Sequence, residues 1–277
     1  MLFDESTLRK LNQLTLVASR VRAGVLKGER RSTRRGSSIE FADYRAYTAG
    51  DDLRRLDWNV YARLDRPFIK LLEEEEDLSV HILLDASQSM DWGEGETHKF
   101  TYAQRLAAAL GAIALSSGDR LSVSVLRGGQ IADRLPLLRS ANNLMRLLTF
   151  LESQSPGGNT DLGLALRNYT LAAHRPGLAF LISDLFSTGS VQDALAHLLS
   201  RGYEVALLHL LSPDELLPPL AGDLRLVDSE TGQQVEVSLD AGMRQAYQRG
   251  VLEWRAEILQ ACLSRSVHFL ALQTDQP

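Results

Sequence analysis

From Leu78 onward the chain alternates short apolar runs with stretches of helical period, and this alternation restricts the possible folds more than any other feature. LSVHILLD, LSVSVLR, LAFLISD and EVALLHLL read as strands, and residues 99–117, 141–152, 161–173 and 190–201 read as helices between them. Strands alternating with helices predict an α/β fold, a mostly parallel sheet covered by helices on both faces. LSVHILL and LAFLI are apolar nearly throughout, as strands buried on both sides are. A short edge strand near IADRLPL and a hairpin over LRLVDSETGQQVEVSL, turning at Ser229–Gly232, fill out the expected domain. A helix over 240–264, with Met243, Tyr247, Val251, Trp254, Ile258 and Ala261 on one face, leads to a last strand, VHFLAL.

The first 77 residues read differently. Leu8, Leu11, Leu14, Ala18, Val21 and Val25 recur at steps of three and four, which predicts a helix over 4–27. GERRSTRRGSSIE follows as a polar loop, with Arg30, Arg31, Arg34 and Arg35. The next segment mixes charges with Phe41, Tyr44, Tyr47, Trp58 and Tyr61, and is expected to brace the main domain with Phe41 and Trp58 buried. Pro67–Leu72 reads as a strand that turns through Glu73–Asp77 into a second strand, Leu78–Leu84, as a hairpin. The expected division is therefore 1–77, an N-terminal helix, basic loop and brace, and 78–277, the α/β domain.

Charge follows the same division. Residues 1–70 hold 15 Lys and Arg against 9 Asp and Glu, whereas the remainder holds 15 against 26. Either the two parts neutralise each other or the basic part meets an acidic partner. The single cysteine, Cys262, excludes an intrachain disulfide framework and any multi-cysteine metal site. The ten-residue apolar run Leu106–Leu115 is short of the ~20 residues that span a bilayer. MLFDESTLRK lacks the pattern of a signal peptide, so the expectation is a soluble, cytoplasmic protein. GxSxG, GxGxxG and GxxxxGK[ST] are absent, which removes support for hydrolase-elbow, dinucleotide and P-loop chemistry.

Ligands of open α/β sheets bind at the carboxyl ends of the strands. There the sequence places Asp85-Ala86-Ser87-Gln88-Ser89, then Pro156-Gly157-Gly158-Asn159-Thr160-Asp161, then Asp184. Carboxylates and hydroxyls are hard oxygen donors, suited to Mg²⁺ or Mn²⁺. The alternate spacing of Asp85, Ser87 and Ser89 lets one turning loop face three oxygens inward, and the glycines permit a tight turn that brings Thr160 over the same point. The competing reading makes Ser87, Ser89 and the Thr160-Asp161 pair helix caps.

This constellation resembles the metal-ion-dependent adhesion site of von Willebrand factor A domains, over residues 78–272. The resemblance implies that Ser87, Ser89 and Thr160 ligate a divalent cation, that Asp85 and Asp184 act directly or through water, and that one position is left for an acidic side chain of a partner. The third motif in that family usually ends in Gly; here it is Ser183-Asp184-Leu185. Upstream, Glu40-Phe41, Arg45-x-Tyr47, Gly50-Asp51, Arg55-x-Asp57-Trp58 and Ala62-Arg63 resemble the bacterial family called "domain of unknown function 58". That resemblance implies association with MoxR-type AAA+ ATPases.

Two function classes follow. One is a non-enzymatic protein-interaction module, partner of such an ATPase, with Arg30, Arg31, Arg34 and Arg35 contributing to partner binding. The other is a nucleic-acid-binding or metal-dependent enzymatic α/β protein, in which the same arginines meet phosphates and Tyr44, Tyr47 and Trp58 stack on bases. The motif loops offer no clear general base, and the balance of five arginines and five aspartates over 41–66 suits an internally paired segment, so the first class is favoured.

Overall fold

The computed structural model describes residues 39–48, 51, 56–74, 78–159, 161–172, 175–187, 189–220, 222–228 and 232–276, without the side chains of 39–43 and 70–74. The helix expected over 4–27, the four loop arginines, Thr160 and the side chain of Phe41 therefore lie outside the described residues. The chain divides into two compact units, Gly24–Asp77 and one that includes Leu78–Pro277.

In the first unit, β1 (Ile39–Ala46) pairs antiparallel with β2 (Phe68–Glu74), with a bulge between Phe41 and Asp43. The expected hairpin of β2 with the following strand does not form, because that strand has both its edges taken in another sheet. Between β1 and β2 lies a short helix, α1 (Trp58–Leu64), whose N-terminal amides are capped by the Asp57 carboxylate. Tyr44 donates its hydroxyl to the same carboxylate at 2.8 Å. Trp58 is 65% exposed and lies edge-on to Tyr61, so its expected burial is overturned. At the first position of a helix with no buried residue, its ring faces water, while Leu56 and Ile69 are buried instead. Arg45 pairs with Asp51 at 2.8 Å, in keeping with the internal balance of charges in this segment.

The second unit is built on β3 (Ser79–Asp85), α2 (Lys99–Ser116), β4 (Arg120–Arg127), β5 (Gln130–Leu138), α3 (Leu144–Glu152), α4 (Leu162–Leu171), β6 (Leu178–Ser183), α5 (Val191–Ser200) and β7 (Glu204–Leu211). A single helical turn, α6 (Pro213–Leu216), the hairpin β8 (Gly222–Val227) and β9 (Gln234–Leu239), α7 (Ala241–Leu263) and β10 (His268–Gln273) complete it. The strand order is β5-β4-β3-β6-β7-β10, parallel except at the β5 edge. This is the α/β architecture expected, and its order reverses beside β3.

Successive residues of the central strands feed the two layers in turn. Val80, Ile82 and Leu84 pack with α2 and α3, through Phe100, Ala103, Ala107, Leu147 and Leu151. Leu83, Leu181 and Leu207 pack with α4, α5 and α7, through Leu166, Leu195, Ile258 and Cys262. Each such aliphatic side chain contributes roughly 1.5–3 kcal/mol on burial. On the last helix only the second half of the expected apolar stripe is buried, at Ile258 and Ala261; Met243 and Tyr247 are exposed. Gly177, just before β6, has no room for a side chain, since a Cβ there would sit 2.0 Å from the Ser79 carbonyl oxygen. Among the described residues no helix is long and apolar enough to cross a membrane.

Candidate functional site

The topological switch lies between β3 and β6, which run side by side and lead to opposite halves of the sheet. Asp85 ends β3 and Asp184 follows β6, so parallel pairing alone brings two sequence-distant carboxylates to one place. Ser183 joins them: its hydroxyl donates to Asp85 Oδ2 at 2.7 Å. Asp85 Oδ1 accepts the Ser87 amide at 3.0 Å, which folds the loop back on itself. The Ser87 and Ser89 hydroxyls are 2.9 Å apart, and Ser89 Oγ donates to Asp184 Oδ1 at 3.2 Å. Four of the five sequence-chosen ligands thus form one connected group. Ser87 stands at the cap of a short 3₁₀ turn without capping it by its side chain, so its hydroxyl is committed to the group.

The glycine loop is held against this motif by backbone bonds. Gly157 N–H donates to the Ala86 carbonyl at 2.9 Å, and Gln88 N–H to that of Gly158 at 2.7 Å. Gly158 has φ +75°, a left-handed conformation that glycine takes without strain. The loop is thereby described up to Asn159; Asp161, beyond Thr160, caps α4 by accepting the Leu164 amide at 2.8 Å.

Leu185 stands where the resembled motif has glycine, and it adopts φ +62°. The backbone keeps the left-handed turn at a cost of about 1–2 kcal/mol. Burial of the Leu185 side chain beside β6 offsets it.

Sequence reasoning missed two charged residues here. Lys99 opens α2 and is fully buried, with Nζ 2.6 Å from Asp184 Oδ2 and 2.5 Å from Glu215 Oε1. The ammonium also lies 5.2 Å from the centroid of the Phe186 ring. A cation in the first helical turn opposes the helix dipole, and that mismatch was the readable signal of a dedicated carboxylate partner. Glu215 is placed by a capping box with Ser212, readable as Ser-Pro-Asp-Glu; its Oε2 accepts the Ser212 amide at 2.7 Å.

Three carboxylates, Asp85, Asp184 and Glu215, meet here, and among the described residues the Lys99 ammonium pairs with two of them, Asp184 and Glu215. Burial, and then the Asp184 charge, push the Asp85 carboxyl up to about 7. Burial likewise raises Glu215, against the pull of Lys99. His209, whose Nε2 lies 3.1 Å from the Asp184 carbonyl, is held by burial down to about 4 and stays neutral, so it supplies no compensating charge.

The donor set fits a hard divalent cation. Octahedral Mg²⁺ with oxygens at ~2.0–2.1 Å sets neighbouring ligands ~2.9 Å apart, the spacing at which the two serine hydroxyls already stand. No group of three or more His, Cys, Asp or Glu side chains suited to a metal occurs among the described residues, so any ion here draws on hydroxyls as well as carboxylates. Ser89 is half-exposed while Ser87 and Asp85 are buried, which leaves the group open on the Ser89 side.

A family model described as "Protein of unknown function DUF58" matches residues 43–257. The chain belongs to the DUF58 family. It is similar to uncharacterized protein Rv1480 of Mycobacterium tuberculosis (strain ATCC 25618 / H37Rv), 27% identical over 276 residues that cover 99% of this chain and 86% of that protein. Uncharacterized protein MAV169 of Mycobacterium avium is 29% identical over 133 residues, 48% of this chain and 78% of that protein. Among solved structures, the DUF58 chain aligns with the conserved hypothetical protein BatB from Bacteroides thetaiotaomicron at 18% identity and a TM-score of 0.43, covering 71% of this chain and 90% of that one. It aligns with the SpRpn10 VWA domain at 11% identity and a TM-score of 0.39, covering 73% and 91%. The fold assignment rests on the strand order and the switch-point loops described above.

Proposed function

We propose that this DUF58 protein is a non-enzymatic protein-interaction module that grips an acidic side chain of a partner through a bound Mg²⁺ or Mn²⁺. Asp85, Ser87, Ser89 and Asp184 hold the ion, with Thr160 as a further ligand. The observation that carries the reading is the connected hydroxyl–carboxylate group at the switch point, where among the described residues Asp85, Asp184 and Glu215 gather with one ammonium, that of Lys99. A divalent ion adds positive charge there and, by keeping a position open, attracts a carboxylate from outside. Trp92 and Phe186, both exposed and carried on the loops that follow the two site aspartates, offer apolar surface for a protein partner around that point. The partner named by the family resemblance is a MoxR-type AAA+ ATPase, with this chain as its adaptor and the basic loop of Arg30, Arg31, Arg34 and Arg35 as a second contact.

The test has two parts. Mn²⁺ titration followed by electron spin resonance gives one site in the wild type and none in Asp85→Ala, with the fold retained. Pull-down of the ATPase by the tagged chain fails in chelator and in Thr160→Ala. Equal Mn²⁺ binding by wild type and Asp85→Ala removes the site assignment; retained pull-down in chelator makes any ion structural only.

A further inference from the structure

Lys99 is a buried charged group at the switch point that the ligand set does not use, and its placement is costly. It is wholly buried at the start of an 18-residue helix, where the dipole disfavours a cation, so its two carboxylates, with the Phe186 ring beside them, hold its charge there. We infer that Lys99 is a resident counter-cation that competes with the divalent ion for Asp184, and so sets the metal concentration at which the site loads. This rests on the reading of Asp85, Ser87, Ser89 and Asp184 as a metal site.

The argument is in how Asp184 divides its oxygens. Oδ1 accepts from the Ser89 hydroxyl at 3.2 Å and from the Phe186 amide at 3.1 Å, and so faces the serine loop. Oδ2 accepts from Lys99 at 2.6 Å. An ion beside the serines therefore shares one buried carboxylate with an ammonium, and two cations at that separation in a buried site repel strongly. The ammonium is not itself a stand-in for the ion: its polar contacts among the described residues are Asp184 and Glu215, not the serines, and it is out of reach of a partner's side chain. Glu215 works against the competition. It draws the ammonium from the other side and is itself fixed by the Ser212 cap, so that Asp184 carries only part of the burden of neutralising Lys99.

The inference predicts effects of opposite sign from the two ends of one ion pair. Lys99→Met removes the competitor and tightens Mn²⁺ binding tenfold or more. Glu215→Gln leaves Lys99 with Asp184 as its one described carboxylate partner and weakens Mn²⁺ binding by a similar factor. A side chain that merely holds the loops together gives loss of binding from both substitutions. The full chain is titrated with Mn²⁺ by electron spin resonance, with circular dichroism of each variant to establish folding. Equal or weaker binding by folded Lys99→Met overturns the inference. Where Lys99→Met does not fold, unchanged or tighter binding by Glu215→Gln overturns it. Absence of Mn²⁺ binding in all three proteins instead removes the metal site on which the inference rests, whereas binding by Lys99→Met alone supports it in its strongest form.

Discussion

His81 and Asp85 lie on the same strand, both buried, in surroundings of opposite electrical character. The His81 ring has Nδ1 2.9 Å from the Ser122 hydroxyl and 2.7 Å from the Tyr169 hydroxyl, and Nε2 3.0 Å from the Arg175 carbonyl. With Nε2 donating to that carbonyl, Nδ1 accepts a hydroxyl proton, and these contacts close with neutral partners. Tyr203 packs edge-on to the same ring at 5.1 Å, and burial raises the Tyr169 hydroxyl well above the usual phenol range, so it stays protonated. Asp85 sits instead beside a second buried carboxylate, Asp184, and among the described residues the nearby ammonium of Lys99 is shared by Asp184 and Glu215. A neutral, satisfied network positions β3, β4 and α4 and asks for nothing more. A network of gathered buried carboxylates asks for a proton or a metal ion, and that need is what makes it a candidate site.

The sharpest way to break the comparison is pH in the presence of chelator. Asp85 is raised from 3.8 to about 7, so the folded chain holds a proton that the unfolded chain releases. Stability is then fullest below about pH 4 and falls as pH rises towards 7, by at most about 1.4 kcal/mol per pH unit for one proton. The raised Glu215 adds to the same slope. Urea unfolding at several pH values should give a flatter profile for Asp85→Asn than for the wild type; an unchanged slope would show that the proton is not held on Asp85. Less is expected from the neutral cluster. Tyr169→Phe should cost about 1 kcal/mol, the worth of one hydrogen bond, with Mn²⁺ binding unaltered. A change in Mn²⁺ affinity in that variant would mean that the two clusters are coupled through β3. The smallest effect is expected outside both. Trp58→Ala should shift the unfolding free energy by less than about 0.5 kcal/mol, because the ring is exposed. A loss of several kcal/mol would restore Trp58 to a buried role.

Much of the candidate site was legible because its parts are local. Asp85, Ser87 and Ser89 share one turn, and Asp184 follows a strand that can be recognised by composition alone. Lys99 and Glu215 left only local signs, a cation at a helix start and a Ser-Pro-Asp-Glu cap, and neither sign says that the two meet across 116 positions. Trp58 misled for a related reason. Aromatic residues among charges resemble a buried brace, but whether a ring on a seven-residue helix is covered depends on what packs there.

By itself the sequence determined the alternation of strands and helices, the buried character of β3 and β6, and the oxygen donors at their ends. Each of these follows from periodicity or from neighbours along the chain. The tertiary structure alone decided that β2 turns back to β1 rather than forward to β3. It also decided that Leu185 takes the left-handed turn without glycine, and that a buried ammonium stands beside the proposed ligands. The physical reason is common to all three: strand edges, buried volume and buried charge are satisfied by residues far apart in sequence. Which of them meet is set by the free energy of the whole packed unit.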